Sequence, residues 1–129
     1  MAVYLDTSAL VKLVVAEPES DALRTWLVQQ VDPVTSDLAR TELARAVRRV
    51  APDLMPAARG VLDVLTILTL DAEIFEAAGR LDPAELRSLD AVHLASALSL
   101  GDDLTAVVTY DDRQAAAATA YGVSVIAPG

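Results

Sequence analysis

Short β-rich runs alternate with longer helical runs along this chain, and the alternation predicts the fold. The strand candidates are Ala2–Leu5, Pro33–Ser36, Thr66–Leu70, Ala106–Thr109 and Val123–Ile126. Each is short and apolar on both sides, as a strand covered on both faces must be. Between them, apolar positions recur at helical spacing. Ser20 is placed to cap a helix over Asp21–Gln30, with Leu23, Trp26 and Leu27 as its buried stripe. Asp37 is placed to cap Leu38–Val50, where Ala39, Leu43, Ala46, Val47 and Val50 share a face. Asp53 is placed to cap Leu54–Leu65, a run weakened by Pro56 and Gly60, and Asp71 to cap Ala72–Leu81. The run Ser88–Leu100 stops at Gly101, and a last helix from Asp112 to Tyr121 stops at Gly122. Strands separated by helices throughout imply an α/β fold, with a central, mainly parallel sheet of four to five strands and helices on both faces. No repeat or linker interrupts the pattern, so residues 1–129 are expected to form one domain.

Composition narrows the class. With 129 residues and 53% hydrophobic side chains, the chain can build a core and still leave apolar surface for an interface. No apolar run approaches the ~18 uncharged residues that suggest a membrane span. Asp6 interrupts the first such run, so a signal-peptide pattern is absent and a cytoplasmic protein is expected. The absence of Cys excludes disulfides and thiolate metal sites. A formal net charge of -9 argues against a general nucleic-acid coat protein. It leaves open a metal-dependent nuclease, because cations can bridge acidic residues to phosphates. Solubility or a basic partner would account for the charge equally well.

Four acids stand where a soluble domain does not ordinarily put them. Asp6 and Asp111 each end a β-rich run, and ligands of open α/β sheets bind beyond the carboxyl ends of the strands. The first and fourth strands are therefore expected to be neighbours, with the two carboxylates facing one another. Asp90 opens a run that is apolar nearly all round, where a carboxylate is costly unless paired or metal-bound. A first-turn charge favoured by the helix dipole is the plainer account of Asp90. Glu42 lies three residues before Arg45, so a surface ion pair is its plainer account. Taken together, the four acids make an oxygen-only donor set, which points to Mg²⁺ or Mn²⁺. One histidine, His93, and no Cys cannot build an ordinary zinc site; His93 is expected to be a structural hydrogen-bonding residue.

The segments Asp6-Thr7-Ser8-Ala9-Leu10, Asp90-Ala91-Val92-His93-Leu94-Ala95 and Thr109-Tyr110-Asp111, with Glu42 between the first two, resemble the PIN domain. The chain looks most like the VapC-type toxins of toxin–antitoxin pairs, over essentially its whole length. The resemblance implies a three-layer α/β/α sandwich and a metal-dependent endoribonuclease that cleaves structured RNA by metal-activated attack of water on a phosphodiester. It implies Asp6, Glu42, Asp90 and Asp111 as catalytic and metal-holding acids, with Ser8, Thr109 and Asp112 supporting them. It also implies a homodimer inhibited by a cognate antitoxin, with DNA met only through that antitoxin.

A positive path for RNA is sought on the Glu42 helix. Arg45 and Arg49 lie on the Glu42 flank and could hold phosphates, although cations near a helix C-terminus are favoured anyway. The Trp26 stripe offers either an antitoxin groove or ordinary core packing. Two alternatives compete. One is a PIN-like module that binds metal without catalysis. The other is a haloacid-dehalogenase-like phosphohydrolase, which would want an acid where Ser8 stands and a catalytic lysine, for which only Lys12 is available.

Overall fold

In a computed structural model covering residues 1–129, five strands form one all-parallel sheet in the order β3-β2-β1-β4-β5. The strands are β1 (Ala2–Leu5), β2 (Asp32–Ser36), β3 (Thr66–Leu68), β4 (Leu104–Val108) and β5 (Val125–Ile126). The helices are α1 (Thr7–Val14), α2 (Ser20–Leu27), α3 (Leu38–Val50), α4 (Met55–Asp63), α5 (Ala72–Gly79), α6 (Ser88–Leu98) and α7 (Asp112–Ala120). The expected α/β/α architecture is therefore present, and β1 and β4 are neighbours as expected.

Strand alternation divides the core between two faces. Val3, Leu5, Ala106 and Val108 point to one side and pack with α1, α2, α3 and α4 through Leu10, Leu23, Leu43 and Leu62. Ala2, Tyr4 and Val107 point to the other and meet Leu94 and Ala97 of α6 and Ala117 and Ala118 of α7. Helix α5 lies outside α6, where Ala78 packs with Ala91, Val92 and Ala95. Small side chains on α6 let it fit between the sheet and α5. That double coverage explains why the run is apolar nearly all round.

Several element ends differ from expectation, each for a local reason. No bounds were expected for α1, which starts directly after Asp6; the Asp6 side chain caps it by accepting from Ala9 N–H. Ser20 does not cap α2: it lies inside the helix, accepts from Glu17 N–H and donates to the Val15 carbonyl. The chain past Leu27 tightens, with Gln29 and Gln30 bonding to carbonyls three residues back. Asp37 makes no capping bond to α3 and instead pairs with Arg40. Val50, expected on the buried face of α3, is 66% exposed because the helix end runs past the core. The run expected over Leu54–Leu65 is a 3₁₀ turn at Pro52–Leu54 followed by α4, without a cap from Asp53. Pro56 sits near the start of α4, where its missing N–H costs nothing.

The strand ends shift too. Leu104 and Thr105 join β4, while Thr109 falls just past it. β3 stops at Leu68 rather than Leu70. Val123 stays out of β5 because its N–H bonds to the Ala118 carbonyl and closes the end of α7. That closure turns on Gly122, whose φ of 79° suits glycine. Helices α5 and α6 end at Gly79 and Leu98, earlier than expected, and α7 ends at Ala120. Asp71 caps α5 as expected, accepting from Ile74 N–H.

Candidate active site

The crossover from β1 to β4 brings the four acids to one end of the sheet. Asp6 follows β1, and its backbone N–H donates to the Val108 carbonyl at the end of β4. Asp111 follows β4 and caps α7, accepting from Arg113 N–H at 2.9 Å. Glu42 comes from α3 on one face of the sheet and Asp90 from the first turn of α6 on the other. Their convergence shows in the electrostatics of Asp90. Burial raises its pKa first, and the charges of Asp111, Asp6 and Glu42 raise it further, against a lowering by His93.

Asp6 is 4% exposed and held from both sides. Ser8 Oγ donates to its Oδ1 at 2.6 Å, and Thr109 Oγ1 donates to its Oδ2. Burial pushes the Asp6 carboxyl above its ordinary range, and these two hydroxyls, the His93 charge and Ala9 N–H only partly offset it. The hydroxyls also tie the two strand ends together. Ser8 Oγ accepts from Tyr110 N–H at 2.9 Å, and Thr109 Oγ1 accepts from Asp111 N–H at 3.1 Å. The expected supporting positions of Ser8 and Thr109 thus lie against the first acid. Asp112 is exposed in the first turn of α7 and makes no hydrogen bond to the other acids.

Glu42 forms no ion pair with Arg45. Its Oε1 takes Thr7 Oγ1–H at 2.6 Å and meets His93 Nε2 at 2.5 Å. Burial alone would raise the Glu42 pKa, but the bonds to His93 and Thr7 and the His93 charge outweigh it and hold it low. An ionised carboxylate only accepts, so His93 Nε2 carries the proton. His93 Nδ1 meets Tyr4 Oη at 2.8 Å, and Tyr4 Oη donates to Ser36 Oγ at 2.9 Å. Burial raises the Tyr4 phenol well above its usual value, so it stays neutral. His93 is 3% exposed and serves, as expected, as a hydrogen-bonding residue.

Sequence reasoning missed Thr7, Tyr4, Ser36 and Gln114. Thr7 was visible inside the first motif. Gln114 is 1% exposed, and its Nε2 donates to the Asp90 carbonyl at 3.1 Å, fixing α6 against α7. Its Oε1 has no partner. Arg45 and Arg49 are exposed on α3, and neither is in an ion pair. Lys12 is committed elsewhere: it pairs with Glu17 and Glu19 and lies over the Tyr110 ring. That removes the lysine a haloacid-dehalogenase site would require. Trp26 is partly buried and packs against the main core.

The donor chemistry fits a hard divalent cation. All four convergent side chains are carboxylates, and His93 is already bonded at both nitrogens. The Asp90 carboxylate is disfavoured by three neighbouring acids and receives no hydrogen bond that lowers its pKa. Asp6, Glu42 and Asp111 are held by bonds within the protein, and no three acidic or imidazole side chains close into a metal-ligand set.

Comparison with known proteins points to one family. The family model described as PIN domain matches residues 3–120. The chain is 50% identical over 127 residues to Ribonuclease VapC46 of Mycobacterium tuberculosis, covering 98% of each chain. Among solved structures, it is similar to VapC20 of Mycobacterium tuberculosis, described as a sarcin-ricin loop cleaving toxin. That likeness has a TM-score of 0.79 at 18% identity, covering 98% of this chain and 99% of that one. A toxin–antitoxin complex from Klebsiella pneumoniae gives a TM-score of 0.75 at 19% identity, with 98% of each chain covered. Four acids gathered at the β1–β4 crossover, the α/β/α layers around them and the likeness to VapC46 have one common explanation: the chain belongs to the PIN domain family, in its VapC group.

Proposed function

We propose that this protein is a divalent-metal-dependent endoribonuclease and the toxin of a toxin–antitoxin pair, with residues 1–129 acting as one nuclease domain. The observation that carries this is the gathering of Asp6, Glu42, Asp90 and Asp111 at one sheet end, in a chain half identical to a VapC ribonuclease. The oxygen-only set suits Mg²⁺ or Mn²⁺. When bound, such a cation neutralises charge at the scissile phosphate and acidifies the attacking water.

The protein's own groups supply the positioning. Asp6, held on both oxygens by Ser8 and Thr109, and Asp111, held by the first turn of α7, are the acids of the β1–β4 crossover. Asp90 joins them from the first turn of α6, and Glu42, bonded to His93 and Thr7, would hold the cation or aim the water. Water attacks phosphorus, the P–O bond to the leaving oxygen breaks, and that oxygen takes up a proton. Asp112, Arg45 and Arg49 remain proposed contributors at the margin.

A cognate antitoxin is the expected protein partner, and any DNA is met through it. A second copy is expected to dock on apolar surface such as Phe75 and Leu89, which are about half exposed on α5 and α6. No helix is long and apolar enough to cross a membrane, and the site of action is proposed to be the cytoplasm.

The test is to incubate the partner-free protein with total RNA in Mg²⁺ or Mn²⁺, beside Asp6→Asn. Discrete fragments from the parent alone support the proposal. No cleavage by a parent that still binds metal would turn the assignment toward a non-catalytic binding module.

A further inference from the structure

The sign of the charge near the site is unexpected at two positions. Arg87 lies three residues before Asp90, and Arg113 lies two after Asp111. Neither is in an ion pair. Both instead line a cleft of about 620 Å³ between the start of α6 and α7. Its floor is apolar, with Leu86, Ala117 and Ala120, and Glu85 stands among the lining residues.

We propose that this cleft holds the RNA strand on one side of the scissile bond, with Arg87 and Arg113 binding its phosphate and the alanine floor receiving its base. The proposal rests on the ribonuclease reading of the acids. A strand with one phosphodiester at the acids must place its next phosphate one nucleotide away. The cleft adjoins the acids along the chain, because its lining residue Arg87 lies three residues before Asp90 and its lining residue Arg113 two after Asp111. Planar guanidinium forks match phosphate oxygens, and their faces stack on bases. A floor of small apolar side chains admits a flat ring, and a site with few polar groups on an apolar wall is typical of ligand pockets. Glu85 can only accept, so it favours a base edge that donates, as the amino group of cytosine does. An acidic segment of a partner protein also suits two arginines. Unlike a nucleotide, it has no use for a flat apolar floor and would carry its neighbouring carboxylates toward Asp90 and Asp111.

The experiment measures binding of a labelled RNA stem-loop in the cleavage-dead Asp6→Asn background. It compares intact arginines, Arg87→Ala/Arg113→Ala and Arg87→Lys/Arg113→Lys over a salt series. Poly-glutamate serves as competitor, and the Mn²⁺-induced melting shift of each arginine pair is checked in an otherwise unaltered chain. Loss of the two arginine contacts to that phosphate should weaken binding by about tenfold or more and flatten the log–log salt slope by about 0.7, the value for one single-strand phosphate. The lysine pair should recover part of the affinity, and the Mn²⁺ shift should persist. Unchanged affinity and slope in the alanine pair would overturn the cleft assignment and leave the ribonuclease reading standing. Displacement of RNA by poly-glutamate only when the arginines are intact supports the phosphate role. Tight poly-glutamate binding without any effect of the arginines on RNA would overturn it in favour of a protein-docking cleft. If the parent cleaves no RNA under any metal, the function itself fails, and this inference with it.

Discussion

His93 Nε2 stands 2.5 Å from Glu42 Oε1, so one hydrogen bond ties α6 to α3 across the end of the sheet. The carboxylate side chain is 22% exposed and the imidazole 3%. Removing the imidazole leaves a mostly buried acid with only Thr7 to hold it. The His93→Ala variant should lose about 3 kcal/mol, the order seen when one partner of a buried pair is removed. Urea unfolding measures this, and His93→Gln, which keeps one donor, should lose less. A loss in His93→Ala below about 1 kcal/mol, the net worth of an ordinary hydrogen bond, would mean that the bond does not organise this end of the sheet.

Asp6 separates stability from function. Its charge is buried, and burial disfavours its ionised form. The Asp6→Asn variant, without added metal and at neutral pH, should melt no lower than the parent. It should lose both RNA cleavage and the Mn²⁺-induced rise in melting temperature. A normal Mn²⁺ response would place the cation elsewhere.

Thr109→Val isolates the hydroxyl from the shape of the side chain. The hydroxyl donates to Asp6 and accepts from Asp111 N–H, and the residue is 1% exposed. Loss of a group that orients a metal ligand typically costs 10–100-fold, so cleavage or Mn²⁺ affinity should fall by about that factor. Stability should fall by about 1–3 kcal/mol, because the Asp111 N–H loses its acceptor. Cleavage at parental rates would remove Thr109 from the supporting set.

The pH response has two windows of opposite sign. Asp6 and Asp90 have folded pKa values raised above their ordinary 3.8. Raised carboxylates weaken the fold when ionised, so without added metal that cost disappears as pH falls from neutral through their folded values. Glu42 is lowered from 4.5; its contribution is present above that value and lost as pH falls through the folded one. Stability without metal should therefore rise on mild acidification and then fall below about pH 4. The Mn²⁺-induced melting shift should shrink over the first window, since protons compete for Asp6 and Asp90. Melts in chelator and in Mn²⁺ across pH check both, and a metal shift independent of pH would count against those two acids as ligands.

Gln114 offers a further separation. It is buried, it bonds the Asp90 carbonyl, and its Oε1 has no partner. Gln114→Leu removes the orphan oxygen and keeps most of the volume, so stability should change by less than about 1.5 kcal/mol. Cleavage should nevertheless fall, because α6 is then no longer fixed to α7 beside Asp90. A variant that cleaves as the parent does would reduce Gln114 to packing.

Local chemistry made much of this protein legible from its residues. Buried strands must be short and apolar on both sides, helices must repeat their apolar face, and parallel strands need crossovers. Those rules were enough to find all five strands, six of the seven helices and the neighbouring of β1 with β4. They also marked Asp6 and Asp111, because an acid just past a buried strand has a position that sequence can show. Helix α1 escaped definite bounds because its start is hidden in the motif that Asp6 opens.

What the residues could not decide was the partner of each polar group. Glu42 has Arg45 three residues away but bonds His93, 51 positions distant. Ser20 and Asp37 look like caps but bond elsewhere. Gln114 and the Arg87–Arg113 cleft carry no sequence signal at all. Propensity and periodicity act within about one helical turn. The pairing of a buried polar group is set by whatever the packed layers bring within about 3 Å of it, and for this site only the tertiary structure does that.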